Sequence, residues 1–139
     1  MNEVLVDSDI LSFFLRNVPK VKTEAEKYLK IHKGFTFSII THFEILRGLK
    51  VKDAQRQITK FGLIRLQSRE INLTPEIMNR AADIYADLYK RGLLVKDADI
   101  LIAATALENN LAIVTNNESH FNRISGLQVL NWNKGRLAI

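Results

Sequence analysis

The chain has 139 residues, 47% hydrophobic and 25% charged, with a formal net charge of +5. That length suits one domain spanning residues 1–139 with a substantial core, and the composition excludes a disordered or fibrous chain. It has no cysteine, which rules out a disulfide framework and thiolate metal sites and leaves only oxygen or imidazole ligands for any metal.

The opening "MNEVLVDSDI" lacks a basic n-region, and no apolar run is long enough to span a bilayer. A cytoplasmic protein is expected. "EVLVD" reads as a short buried strand ending in an acid. After "LSFFLR" and Pro19, "TEAE" matches a capping box of Thr23 and Glu26, for a helix ending near Gly34. "FTFSI" is a β-branched and aromatic strand, and "THFE" behind it is a second capping box, Thr41 with Glu44.

Beyond Gly48, residues Val51, Ala54, Ile58 and Phe61 fall at helical spacing, with Lys52, Arg56 and Lys60 as a displaced basic stripe. "REINL" is a weak strand. In "TPEIMNRAADIYADLYKRG", Thr74 caps, Pro75 takes the first helical position and Gly92 terminates, and the stripe Ile77, Ala81, Ile84 and Leu88 faces inward. "DADILIAATALENN" follows as a helix buried on nearly all sides, since Thr105 alone is polar between Ile100 and Leu107. Strand "LAIVT", a turn of helix near "ESHF" and a last strand "LQVLNW" complete the chain.

Strands alternating with helices imply an α/β fold, a central parallel sheet of about five strands flanked by helices on both faces. Ligands in such sheets bind beyond the carboxyl ends of the strands. Asp7 leaves the first strand there, Glu44 begins the helix after the second, and Thr115, Asn116 and Asn117 leave the strand "LAIVT". Asp97 and Asp99 stand at the head of the apolar helix, about 200° apart at 3.6 residues per turn. One can cap while the other projects; Asp97 is expected to cap and Asp99 to serve function, its face continuing through the small Ala103 and Ala106.

Local roles compete with chemistry at each position. Asp7 or Asp9 can cap the helix "ILSFFLR", and Glu44 can be simply the partner of Thr41. Gathered on one rim, however, carboxylates repel and raise each other's pKa, a penalty that a hard divalent cation removes. Mg²⁺ accepts one or two carboxylates, keeps several waters and shares phosphate oxygens. Between Arg47 and Arg69 lie seven basic residues and one acid, Asp53, a local charge suited to a polyanion. Acidic rim and basic flank together suggest metal-assisted attack on a phosphodiester. His32, His42 and His120 show no ligand spacing and read as partly exposed bystanders. The chain has no G-x-S-x-G elbow, no P-loop and no G-x-G-x-x-G.

The order "VLVDSDIL", "SIITHFEILRG", "DADILIAATALENNLAIVTNNESHF" and "ISGLQVLNW" resembles the PIN-domain family, specifically the VapC-type toxins of toxin–antitoxin pairs, over nearly the whole chain. The resemblance implies a Mg²⁺- or Mn²⁺-dependent endoribonuclease acting on RNA. It implies catalytic Asp7, Glu44, Asp99 and Asn117, with Asp7 and Asp99 on the metal. Asp97 matches a frequent extra acid. Asn117 stands where many members carry Asp, which favours a one-metal or substrate-completed arrangement; Glu118 is its acidic neighbour. Ser8 and Thr115 match small hydroxyl positions that orient the acids. A homodimer and a cognate VapB-type antitoxin are also implied.

Two alternatives remain at this stage. One is a haloacid-dehalogenase-like phosphatase, from the D-x-D of "VDSDIL", against which stand Leu11 and the late Asn116 and Asn117. The other is a non-catalytic α/β domain binding nucleic acid or protein, its acids serving only as caps.

Overall fold

The computed structural model describes residues 1–134; the last five residues of the expected single domain lie outside the described residues. Strand β1 (Val4–Val6) leads into α1 (Ser8–Leu15) and α2 (Pro19–Ile31). Then come β2 (Thr36–Ser38), α3 (Ile39–Val51), α4 (Gln55–Gln67) and β3 (Arg69–Ile71). The chain continues through α5 (Pro75–Lys90), α6 (Asp97–Glu108), β4 (Ala112–Val114), α7 (Glu118–Phe121) and β5 (Val129–Leu130). None of these helices is long and apolar enough to cross a membrane.

All strand pairs are parallel, as the alternation of strands and helices requires. The expected single five-stranded sheet is instead divided: β1-β4-β5 form one sheet and β2-β3 a second. Alternation along β1 explains why helices cover both faces of the larger sheet. Val4, Val6 and Val114 join a core built on α1, α2, β2 and Phe61 of α4. Leu5 and Ile113 join the other, built on α5, α6 and Phe121. Helix α6 is buried on nearly all sides, and Thr105, the one polar residue of its apolar run from Ile100 to Leu107, donates to Leu101 O at 2.7 Å, which satisfies the hydroxyl.

Helix starts follow local chemistry, but not always at the expected residue. Thr74 caps α5 by accepting from Ile77 N, and Ile77, Ala81, Ile84 and Leu88 are buried as their spacing predicts. Neither capping box forms. Pro19 starts α2 a turn before Thr23, whose hydroxyl donates back to Pro19 O. Ser38 caps α3, so Thr41 lies inside the first turn and Glu44 in the second. The stripe from Val51 to Phe61 is broken between α3 and α4, where Asp53 adopts φ +52, and Val51 is 83% exposed. Asn17 and Asn110 follow α1 and α6 in the same left-handed conformation, stops that Asn and Asp tolerate better than other residues with side chains.

Gly34 is not a left-handed helix stop. A Cβ there would meet the backbone of Gln67, 2.6 Å from its carbonyl carbon. The missing side chain lets the end of α4 pass close enough for β3 to pair with β2. Gly34→Ala is therefore expected to destabilise the fold by about 2 kcal/mol or more, because backbone cannot yield as a side chain can. Gly62→Ala, where a Cβ meets nothing within 4 Å, should be neutral or stabilising in the same urea titration.

Candidate active site

The carboxyl edge of the β1-β4-β5 sheet collects three aspartates from two distant parts of the chain. Asp7, 5% exposed, follows β1, and its backbone N–H donates to Val114 O at 2.9 Å. Its Oδ1 accepts from Ser8 N at 2.8 Å, capping α1, and its Oδ2 accepts from Thr115 Oγ1 at 2.7 Å. Asp9 accepts from Ile10 N at 2.7 Å and from Asn116 N at 3.0 Å. Asp99, also 5% exposed, comes in from the first turn of α6.

Electrostatics show that these groups feel one another. Burial, then the Asp9 carboxylate, pushes the Asp7 carboxyl up to about 8, against the lowering effect of Thr115 and Ser8; Asp99 adds to the rise. Burial also raises Asp9, its bonds to Ile10 and Asn116 oppose that rise, and Asp99 again adds to it. Among the described residues, no lysine or arginine forms an ion pair with any of the three.

Asp97 does not cap. Lys96 holds the N-cap position of α6 and contributes no side-chain bond. Asp97 is exposed and turns toward α5, beside Met78 and Tyr85. Asp99 is the buried member of the pair, as the 200° separation requires of one of them.

Glu44 stands one residue across from Asp7. Its Oε1 accepts from Ser8 Oγ at 2.7 Å, its Oε2 is 3.8 Å from Arg47, and Thr41 Oγ1 lies 3.0 Å from the same Ser8 hydroxyl. The expected cage of Asp7, Glu44 and Asp99 is thus not drawn tight: among the described residues, no three carboxylate or imidazole groups close on a common point as metal ligands. The donor set nevertheless fits Mg²⁺ or Mn²⁺. Asp7 and Asp99 are buried oxygen donors whose charges oppose each other, and such ions accept one or two carboxylates and fill the rest of their shell with water or phosphate.

Two participants escaped the reading of the sequence. Asp9 is expected from the sequence only as a cap or as part of a phosphatase D-x-D, whereas it stands beside Asp7 at the rim and raises that carboxyl. His120 is no bystander: its Nδ1 lies 3.0 Å from Asp99 Oδ2 and 2.7 Å from Asn117 Nδ2. That one nitrogen lies between Asp99 and Asn117, donating to Asp99 when it carries the ring proton, and the backbone N–H of Asn117 donates to Thr115 Oγ1 at 2.9 Å. His32 and His42 serve packing and pairing elsewhere, against Tyr28 and Glu70. Glu118 is committed to Lys134 and Asn131, which lower its pKa.

A raised carboxyl pKa makes metal-free stability depend on pH. The folded chain keeps a proton on Asp7 that the unfolded chain releases near 3.8. The resulting stabilisation is complete below that value and is lost as pH rises through about 8. In EDTA, Asp7→Asn should remove this loss. The variant should exceed the parent in unfolding free energy, read from urea titrations, at pH 8 by on the order of a few kcal/mol, a difference that shrinks toward pH 5.

Comparison with known proteins agrees with this architecture. Residues 4–127 match the PIN domain model. The chain is 30% identical over 130 residues to Ribonuclease VapC1 of Methanocaldococcus jannaschii, covering 92% of this chain and 87% of that one. Its fold resembles the VapBC2 crystal structure from Rickettsia felis bound to a promoter DNA fragment, with a TM-score of 0.84 at 22% identity, over 95% of this chain and all of that one. A toxin–antitoxin complex from Klebsiella pneumoniae matches with a TM-score of 0.72 at 25% identity, over 96% of this chain and all of that one. With a parallel sheet carrying Asp7, Asp9 and Asp99 on its carboxyl edge and a family match over nearly its whole length, the chain belongs to the PIN-domain family.

Proposed function

We propose that this chain is an endoribonuclease of the VapC type, the toxin of a toxin–antitoxin pair, and that it hydrolyses RNA phosphodiesters with a divalent cation on Asp7 and Asp99. The observation that carries the reading is the group of buried Asp7 and Asp99 with half-buried Asp9, which among the described residues no lysine or arginine neutralises. Capping serves one oxygen of Asp7, Thr115 the other, and His120 faces Asp99, but a purely structural role does not explain why acids are buried side by side where they raise each other's pKa. The ribonuclease relative supplies the reaction class.

A bound Mg²⁺ or Mn²⁺ would supply positive charge against the phosphate and acidify an attacking water. The chain's own residues do the rest. Thr115 fixes Asp7 through Oδ2, and His120 fixes Asp99 through Oδ2, so both carboxylates are oriented before substrate arrives. Ser8 holds Glu44 at the same rim, where its carboxylate can take the proton from the water. Asn117, beside His120, offers an amide where a fourth acid would add repulsion. The toxin–antitoxin complex among the structural matches supports a protein antitoxin as partner, and a homodimer is part of the same proposal.

Purified protein with Mn²⁺ should cut RNA, and Asp7→Asn or Asp99→Asn should abolish cutting with the circular dichroism spectrum unchanged. Cutting that persists in both variants would mark a contaminating nuclease and remove the assignment. Mn²⁺ at 100 times its dissociation constant should stabilise the parent by about 2.7 kcal/mol in thermal melts. His120→Ala should weaken Mn²⁺ binding by about tenfold, as loss of a carboxylate's orienting partner does. An unchanged affinity in calorimetry would deny His120 that role.

A further inference from the structure

An open cleft of about 300 Å³ runs away from the acidic rim between α1 and α3. Its direction follows from helix geometry. Along α1 the lining residues are Ser8, Asp9, Ser12, Leu15 and Arg16; along α3 they include Glu44, Gly48 and Lys52. Residues four apart share a helix face, so each row follows one helix for most of its length. The Ser8–Glu44 hydrogen bond, 2.7 Å, pins the acidic starts of the two rows together. At 1.5 Å per residue, each row reaches its cation roughly 10–12 Å farther on.

The floor of this cleft is kept open at a cost. Gly48 sits inside α3, where glycine is unfavourable by about 1 kcal/mol relative to alanine. A Cβ there would meet nothing within 4 Å, so close packing does not demand the glycine. The space it leaves is cleft. Nearby cations differ in availability. Arg65 and Arg69 pair with Glu70 and Glu3, and Arg47, which also lines the cleft, lies over the Phe43 ring near Glu44; Arg16 and Lys52 are exposed at the cleft's far end, the Arg16 guanidinium resting over the Phe13 ring.

We infer that this cleft, from Asp9 and Glu44 over Gly48 to Arg16 and Lys52, seats a backbone phosphate of single-stranded RNA next to the one being cut. The inference rests on the nuclease reading above and adds to it the direction in which the strand leaves the acids. One end of the groove is suited to a cation and the other to an anion, an arrangement that a metal-bridged polyanion complements.

The test measures binding of a short fluorescent oligoribonucleotide by anisotropy in EDTA, with the full chain, so that no cleavage intervenes. The double variant Arg16→Ala/Lys52→Ala should flatten the slope of log affinity against log salt by about 0.7, the value for one single-strand phosphate contact. Arg16→Lys/Lys52→Arg, which keeps both charges, should restore most of it. Gly48→Leu should fill the groove and lower affinity by about tenfold while leaving the thermal midpoint unchanged or higher, since it replaces a poor helix former. Lys90→Ala, outside the cleft, should change nothing. Wild-type affinity and salt slope in both the double variant and Gly48→Leu would overturn the assignment, as would an equal loss in Lys90→Ala. If the parent binds with the expected slope yet never cuts RNA, the cleft stands and the nuclease reading falls.

Discussion

Val6 of β1 pairs in parallel with Val114 of β4, so the next residue of each segment, Asp7 and Thr115, leaves the sheet at the same edge and the two side chains meet at 2.7 Å. Everything at the site depends on that register. Because side chains alternate along a strand, a slip of one residue would exchange Leu5 with its neighbours between the two cores and turn Asp7 away from Thr115. Both faces of the sheet are covered, by Val4 and Val6 on one side and Leu5 on the other, so the slip is opposed on each face. The apolar core therefore fixes the position of a polar pair that it does not touch.

The acids impose a cost that this core must offset. Asp7 is buried beside Asp9 and near Asp99, and its carboxyl holds its proton to about pH 8. A chain selected for stability alone would place a basic side chain here, and this one has basic side chains to spare. They are used elsewhere: Arg65 with Glu70, Arg69 with Glu3, Arg80 with Glu108, Arg91 with Asp87. Repulsion left standing at one edge of an otherwise well-paired molecule is the pattern of a site awaiting a cation. The rigid attachments of the acids serve the same end, since Thr115 and His120 hold carboxylates that would otherwise rotate apart.

Charge is also sorted along the surface. The basic segment between Arg47 and Arg69 looks uniform in sequence, but folding divides it. Arg65 and Arg69 reach back to acids at β3 and the amino terminus, and Arg47 lies over the Phe43 ring and near Glu44. Lys52 stays at the mouth of the groove that Arg47 also lines, and the cation facing it there, Arg16, comes from the end of α1, outside that segment altogether.

The sequence by itself determined the α/β class, the order of the elements, the faces of α5, the burial of α6 and the placing of Asp7 and Asp99 at one edge of the sheet. Those features are carried by short-range periodicity, by Pro and Thr at helix starts, and by acids placed against apolar runs. It misplaced the start of α2, where Pro19 begins the helix a turn before Thr23 without a side-chain cap, and of α3, where two candidate caps look alike until tertiary contacts choose; Ser8 binds Glu44 and leaves the cap to Ser38. Only the tertiary structure decided that Asp9 joins the acids, that His120 lies between Asp99 and Asn117, and that Gly48 opens a groove. Each of those depends on which side chains from distant segments meet, and such meetings leave no mark in local spacing.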